Sequence, residues 1–221
     1  MNVLAGAVLE RPPGPKYVSA LRYAELALAD PLPKASTLAR WRKELPDGFE
    51  LALRTPERAW MSAEGALRPG AELTQGLKWL ANAVDALQPR LVVLPTQATI
   101  TTGARDRDRL RAYMEQLRAI EGTKIVWRPR GLWEPDAVQR MANTLGVIGG
   151  FDGIDDPVPS SSTIYVSLQA EGMRRSFSHA QLLDLLDKIT ATDPDAAFVS
   201  IESAQSVREA QLLQGLVVGV P

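Results

Sequence analysis

Short apolar runs alternate along the chain with longer segments in which apolar residues recur with the period of an α-helix. The short runs are rich in Val, Ile, Leu and Phe and lack the polar alternation of a sheet with one face in water. They predict eight strands, at residues 3–8, 23–29, 49–54, 90–94, 124–128, 147–151, 163–168 and 197–201. This order of elements favours βαβ units around a parallel sheet.

Helices are predicted between most of these runs from apolar stripes and end signals. Thr74 is placed to cap the helix that precedes the fourth strand. Pro135 at a first helical position and Gly146 after the last one bound another helix. A helix at 36–45 would carry Trp41 on the face that it presses against the core.

Two further helices are predicted from capping-box spacing. In such a box the first side chain accepts a hydrogen bond from the backbone of the fourth residue, whose own side chain reaches back. Ser178 with Gln181 and Ser206 with Glu209 have this spacing. Helices are therefore expected after the seventh and the eighth strands.

Eight strands with helices on most connections predict an α/β protein with a TIM-barrel-like (β/α)₈ barrel. The connections at 9–15 and 153–162 are rich in Pro, Gly and Ser and are too short or too broken for a full helix. The barrel is therefore expected to be irregular or incomplete. An open doubly wound sheet is the alternative, although no Gly-x-Gly-x-x-Gly motif follows any predicted strand.

The composition is that of one globular domain spanning residues 1–221. With 23% charged residues, 45% hydrophobic residues and a net charge of −1, the chain lacks the basic excess typical of nucleic-acid binding. No segment has the length of a membrane span or the pattern of a signal peptide, so the predicted location is the cytoplasm. We expect neither a nucleic-acid nor a membrane partner, and the oligomeric state stays open.

Metal and cofactor sites have little support in the residue types present. The chain has no cysteine, which excludes thiolate sites, and a single histidine, His179, which excludes multi-histidine sites. Asp152, Asp155 and Asp156 have the oxygen ligands that Mg²⁺ prefers, but with Gly153 among them they are more typical of a turn. No Walker loop and no Gly-x-Ser-x-Gly motif occurs. We therefore predict no cofactor and no bound metal.

Two motifs carry a resemblance to a known family. Residues 124–133 read Lys-Ile-Val-Trp-Arg-Pro-Arg-Gly-Leu-Trp, and residues 37–42 and 46–51 read Thr-Leu-Ala-Arg-Trp-Arg and Pro-Asp-Gly-Phe-Glu-Leu. They are similar to the W-E-P-R-G-x-W strand and the T-hydrophobic-x-R-W-R … P-x-x-F-x-F stretch of the YecE-like family, domain of unknown function 72, in its archaeal-type branch. The resemblance implies a TIM-barrel-like fold.

Most polar positions that mark that family are replaced. Arg128 stands where the family has Glu before Pro-Arg-Gly, and Arg54 stands where it has Lys. Glu25 is kept, whereas the residues around Gln169 and Glu202 no longer match the Y-x-R-L-H-G and F-N-N motifs. The resemblance therefore implies a site that is rebuilt or abandoned in this chain.

Polar residues at the carboxyl ends of the predicted strands would share the mouth of a barrel. They are Asp30, Arg54, Arg128, Arg130, Asp152, Gln169, Glu171 and Glu202. Arg128 and Arg130, two positions apart on a strand, should face the same way and bring at least one guanidinium to the mouth. Two such groups suit a carboxylate or a phosphate. In the alternative, one arginine pairs with Asp152 or Asp30 and the other is solvated.

Three functions fit these residues. The leading hypothesis is binding of a small anionic or polar ligand at the mouth, by Arg54, Arg128, Arg130 and Gln169. The second is an acid/base or metal-assisted enzyme acting on a sugar phosphate or a similar small substrate, with the candidate catalytic residues Glu25, Asp152 and Glu202. The third is a catalytically inert interaction scaffold. A barrel fold alone does not choose among them.

Overall fold

Eight parallel strands close into a barrel in the computed structural model, which describes residues 1–172 and 175–219. The strands are β1 (Asn2–Leu9), β2 (Tyr23–Leu26), β3 (Glu50–Arg54), β4 (Leu91–Thr96), β5 (Lys124–Pro129), β6 (Ile148–Asp152), β7 (Thr163–Gln169) and β8 (Ala196–Glu202). Each strand pairs with its neighbour in the chain, and β8 pairs with β1. The predicted barrel is confirmed, and the open doubly wound sheet and the incomplete barrel are wrong.

Six α-helices lie on the connections between strands in the described part of the chain, and a seventh follows β8. They are α1 (Pro15–Val18), α2 (Ala35–Glu44), α3 (Ala71–Leu87), α4 (Ala104–Arg118), α5 (Pro135–Leu145), α6 (His179–Ala191) and α7 (Ser206–Gly219). The two predicted irregular connections are confirmed, because α1 is a single turn and residues 153–162 form no helix. A two-stranded hairpin, Met61–Ser62 with Gly65–Ala66, lies between β3 and α3. None of the described helices has both the length and the apolar character of a bilayer span.

Local end signals fixed two of the helices as predicted. Ser178 and Gln181 form a complete capping box at the start of α6. Pro135 is the first residue of α5, and Gly146 ends that helix in the left-handed conformation with φ of 62°. The capping box joins residues three positions apart, and Pro135 and Gly146 act through their own backbone preferences. Both signals are therefore present in the sequence alone.

Two predicted caps are wrong. The helix α3 begins at Ala71, and the Thr74 hydroxyl donates a hydrogen bond to the Gly70 carbonyl from inside the helix. Glu209 does not reach back to complete a box with Ser206. Its buried carboxylate accepts hydrogen bonds from the backbone N–H of Phe177, at 2.6 Å, and from the Ser203 hydroxyl. A distant loop has therefore taken a side chain that local spacing assigned to a cap.

The inside of the barrel is filled by aromatic rings. Tyr23, Tyr165 and Phe198 point inward and are buried, and the Tyr23 and Phe198 ring centroids lie 5.3 Å apart. The Tyr23 hydroxyl also shares a 2.8 Å hydrogen bond with Ser200. Gly6 on β1 makes room for this packing, since a Cβ there would lie 2.3 Å from the Tyr23 carbonyl oxygen. The core below the mouth is therefore solid.

Replacement of Trp41 by Ala is expected to lower the free energy of unfolding by about 2 kcal/mol, less than for a fully buried tryptophan. Trp41 is half-buried and packs against the main core on the same helix as the fully buried Leu38. Thermal unfolding should show a melting temperature lower by about 4–8 °C for a chain of this length. The control is Leu132→Ala, at a residue that is 90% exposed. Equal melting temperatures for both variants would contradict the packing role of Trp41.

Candidate functional site

Five of the predicted site residues lie at the carboxyl ends of the strands and face the barrel axis. Strand alternation places Arg54 above the inward-facing Ala52, Arg128 above Val126, and Glu25 above Tyr23. The other two, Gln169 and Glu202, end the neighbouring strands β7 and β8 in paired register. They divide into two clusters, one around Arg54 and one around Gln169.

Arg54 lies between two carboxylates. Its Nε donates to Glu25 Oε1 at 2.7 Å, and its Nη2 donates to Glu202 Oε2 at 2.9 Å. The Tyr165 hydroxyl donates to the second oxygen of Glu25 at 2.5 Å. Glu25 is completely buried, so this group of four residues closes the barrel interior from above.

The protonation states in this cluster follow from burial and from the ion pair. Burial alone would raise the pKa of Glu25, but the Arg54 guanidinium and hydrogen bonds from Tyr165 and Ser200 outweigh it, so the pKa lies below its ordinary value. Burial, reinforced by the Glu25 charge, raises the pKa of Tyr165. Glu25 is therefore an ionised anchor for Arg54, and Tyr165 keeps its phenolic proton.

The second cluster is built around one amide oxygen. Arg128 Nη2 donates to Gln169 Oε1 at 2.6 Å, and Arg130 Nη2 donates to the same oxygen. Arg130 also pairs with Glu171 at 3.1 Å. Arg128 is only 8% exposed, yet none of the ion pairs formed by the described residues includes it. Both guanidiniums thus reach the mouth, and one of them is buried without a carboxylate.

Gly150 allows Arg128 to cross the intervening strand. It lies on β6, between β5 and β7, and a Cβ there would lie 3.2 Å from Arg128 Cβ and 3.1 Å from the Tyr165 ring. The inner face of β6 therefore carries no side chain at this level. An arginine on β5 can reach Gln169 on β7 for this reason.

Other sequence candidates lie outside these clusters. Asp30 pairs with Arg58 at 2.6 Å, and both side chains are more than half exposed. Asp152 Oδ1 accepts a hydrogen bond from the backbone N–H of Ile154 at 2.8 Å, while Asp156 Oδ2 accepts one from the backbone N–H of Asp152 at 2.9 Å. Pairing of Arg128 or Arg130 with Asp152 or Asp30 is therefore wrong. Asp152 at the end of β6 and Asp156 therefore belong to a turn, which is the alternative that the sequence favoured over a metal site.

The described residues contain no group of three or more His, Asp or Glu side chains placed to hold a metal ion. Tryptophans near the site serve in packing: Trp127 and Trp133 meet edge to face with ring centroids 4.8 Å apart.

Sequence reasoning missed Tyr165, Ser167 and Ser200, which line the inner face. The alternation of residues along β7 and β8 was the signal that could have placed them there.

Comparison with known proteins shows similarity of fold. No family model matches the chain, and no curated protein matches it. Two crystal structures of a DUF72 family protein from Enterococcus faecalis V583 are similar to it, with TM-scores of 0.74 and 0.68 at 11% and 13% identity. The first alignment covers 99% of this chain and 96% of the other, and the second covers 100% and 98%.

Two further structures share the architecture. SacUVDE is similar with a TM-score of 0.62 at 8% identity, over 99% of this chain and 98% of the other. A xylose isomerase-like TIM barrel/4-hydroxyphenylpyruvate dioxygenase fusion protein is similar with a TM-score of 0.58 at 13% identity, over 92% of this chain and 39% of the other. At such identities the likeness establishes a common TIM-barrel-like fold, and the site must be interpreted from its own residues.

Proposed function

We propose that the protein binds a small anionic ligand at the carboxyl-terminal mouth of the barrel, through Arg128 and Arg130. The observation that carries the proposal is the convergence of both guanidiniums on the single neutral oxygen of Gln169. An anionic oxygen at this place would accept the same guanidinium hydrogen bonds and would add the Coulomb attraction of an ion pair, which the neutral carboxamide cannot supply.

The contrast between two arginines of the mouth supports this proposal. Arg54 has two carboxylate partners, and the ion pair balances its charge inside the protein. Arg128 is as deeply placed but has only an amide oxygen. Burial of a cation costs free energy unless a counterion accompanies it. A ligand that brings the missing negative charge would remove this cost, which makes Arg128 a binding group rather than a structural one.

The enzyme hypothesis has weaker support in the same geometry. Both oxygens of Glu25 are occupied and the side chain has no contact with solvent. Asp152 is committed to a turn, on the other side of Gln169 from Glu202 in the strand order. A general base must lie within hydrogen-bond reach of the proton that it abstracts. Glu202, with 36% of its side chain in solvent, is paired with Arg54, so none of the three candidate catalytic residues has a carboxylate free of partners among the described residues.

Arg128→Met is expected to raise the stability of the ligand-free protein and to abolish its response to anions. The variant removes a buried charge that has no counterion, so we expect a gain of about 1 kcal/mol, or about 2–4 °C in melting temperature. Phosphate, titrated against chloride at constant ionic strength, should raise the melting temperature of the parent and leave that of Arg128→Met unchanged.

Arg111→Met is the matched control for this experiment. Arg111 lies on the surface of α4, half exposed and paired with Asp108. Its removal should change the unfolding free energy by less than about 0.5 kcal/mol and should preserve the phosphate response. A phosphate response that survives in Arg128→Met would contradict binding at the mouth.

A further inference from the structure

Ser167 carries a buried hydroxyl without a hydrogen-bond partner in the described part of the chain. Its exposure is 1%. It lies on β7 between Tyr165 and Gln169, and strand alternation places all three side chains on the inner face of the barrel. Ser167 is therefore the next inward-facing residue beneath Gln169. A buried hydroxyl that lacks a partner costs about 1–3 kcal/mol, so its retention calls for an explanation.

Ser167 lies in the same column of β7 as Gln169, the residue that accepts the hydrogen bonds of both arginines. From the β5 side, Arg128 and Arg130 donate to Gln169 Oε1. From below, the Ser167 hydroxyl faces the same region and has nothing to donate to among the described residues. Two arginine donors thus contact the Gln169 carboxamide oxygen, and a third donor, the Ser167 hydroxyl, lies one inward-facing position below Gln169 on β7 without a partner among the described residues.

On the basis of the proposed function, we infer that the anionic group of the ligand is a phosphoryl group, and that Gln169 occupies its position in the free protein. A phosphoryl group presents three strong acceptor oxygens in a tetrahedral arrangement. Two of them match the guanidiniums of Arg128 and Arg130, and the third points down to the Ser167 hydroxyl. A carboxylate has only two oxygens in one plane and leaves Ser167 without a partner.

This arrangement makes Gln169 a competitor of the ligand. The carboxamide must leave the two guanidiniums before a phosphoryl group can enter. The measured affinity of the parent is therefore the intrinsic affinity reduced by the fraction of molecules in which Gln169 has moved away. Removal of the carboxamide should strengthen binding, whereas removal of an ordinary ligand contact would weaken it.

Isothermal titration calorimetry with glycerol 3-phosphate tests the inference. We expect Gln169→Ala to bind this probe about tenfold more tightly than the parent, because no internal group has to be displaced. Gln169→Glu should lose binding, since its carboxylate would pair with Arg128, while Glu171 already pairs with Arg130. Ser167→Ala should weaken binding of the probe about tenfold and leave the melting temperature of the free protein unchanged or higher.

Inorganic phosphate and glycerate are the comparison probes. If the ligand is free phosphate or a phosphate ester, the variants should rank in the same order of affinity for phosphate as for glycerol 3-phosphate. The probe that binds more tightly then shows whether the ligand is free phosphate or its ester. Glycerate should bind more weakly and should not respond to Ser167→Ala. Weaker binding in Gln169→Ala, or a glycerate affinity equal to that of glycerol 3-phosphate, would overturn the inference while Arg128→Met still tests the proposed function. Absence of binding in the parent and in Gln169→Ala would overturn both.

Discussion

Glu25→Gln is expected to reduce the free energy of unfolding by about 3–5 kcal/mol, because it removes one partner of a buried ion pair and keeps the shape of the side chain. Glu25 is fully buried, and Arg54 depends on it for the closer of two ion pairs, at 2.7 Å. The Tyr165 hydroxyl donates to the same carboxylate. Since a domain is stable by about 5–15 kcal/mol, urea unfolding should show a large loss in the variant.

The matched control for Glu25→Gln is Glu44→Gln. Glu44 forms an exposed pair with Arg40 on α2, at 3.8 Å and with 62% of the glutamate side chain in solvent. Exposed pairs of this kind contribute little, so the variant should unfold within about 0.5 kcal/mol of the parent. Equal losses in both variants would contradict the anchoring role of Glu25.

The ion pair between Glu25 and Arg54 makes the free energy of unfolding depend on pH. The pKa of Glu25 is lower in the folded protein than in the unfolded chain, so the folded state favours the ionised carboxylate. This contribution to stability is complete above the unfolded pKa of about 4.3 and is lost as pH falls through the folded value. The difference in free energy of unfolding between the parent and Glu25→Gln should therefore stay constant from neutral pH to about pH 5. It should become smaller below about pH 4.3. A constant difference down to the folded pKa would contradict the lowered pKa.

The strands could be predicted because their residues are buried on both faces. Thr163–Gln169 and Ala196–Glu202 read as apolar runs in the sequence, and both form barrel strands close to the predicted bounds. A helix end such as Pro135 or Gly146 is likewise determined by its own conformational preferences. Features of this kind depend on neighbours in the chain, and a single sequence contains all the information that they need.

The partners within the site could not be predicted, because they join residues far apart in the chain. Arg54 lies 148 positions from Glu202, and Arg128 lies 41 positions from Gln169. Each pairing depends on the closed order of the strands and on Gly150 between β5 and β7. The sequence placed the arginines at strand ends correctly. It could not show that one of them is neutralised by two carboxylates and the other by none.

This difference between two arginines links stability to the proposed function. The cluster around Arg54 is satisfied internally, so changes there should act on folding. In the other cluster, Arg128 has no carboxylate partner and the Ser167 hydroxyl has no hydrogen-bond partner among the described residues, so changes there should act on binding and leave folding intact or improved. Stabilising replacements at binding sites commonly cost function for this reason. The Glu25 and Arg128 variants therefore shift stability in opposite directions.

Gly6→Ala is expected to lower the free energy of unfolding by about 3 kcal/mol, the upper part of the usual range for overpacking. A Cβ at this position would lie 2.3 Å from the Tyr23 carbonyl oxygen and 2.8 Å from its ring. The backbone of β2 would have to move outward, and this movement would strain the 2.8 Å hydrogen bonds that Tyr23 forms with Tyr17 and Ser200. Urea unfolding of the purified variant measures the loss directly.

Alanine in place of a second glycine, Gly215, should have the opposite effect on the free energy of unfolding. Gly215 lies within α7, and a Cβ there would meet no atom within 4 Å. Gly215→Ala should therefore stabilise the protein by about 0.5–1 kcal/mol, because alanine loses less backbone entropy than glycine in a helix. A Gly6→Ala variant as stable as the parent would show that β1 and β2 can separate below the mouth without cost. Since Tyr23 lies directly beneath Glu25 on β2, the anchoring of Arg54 would then have to tolerate the same movement.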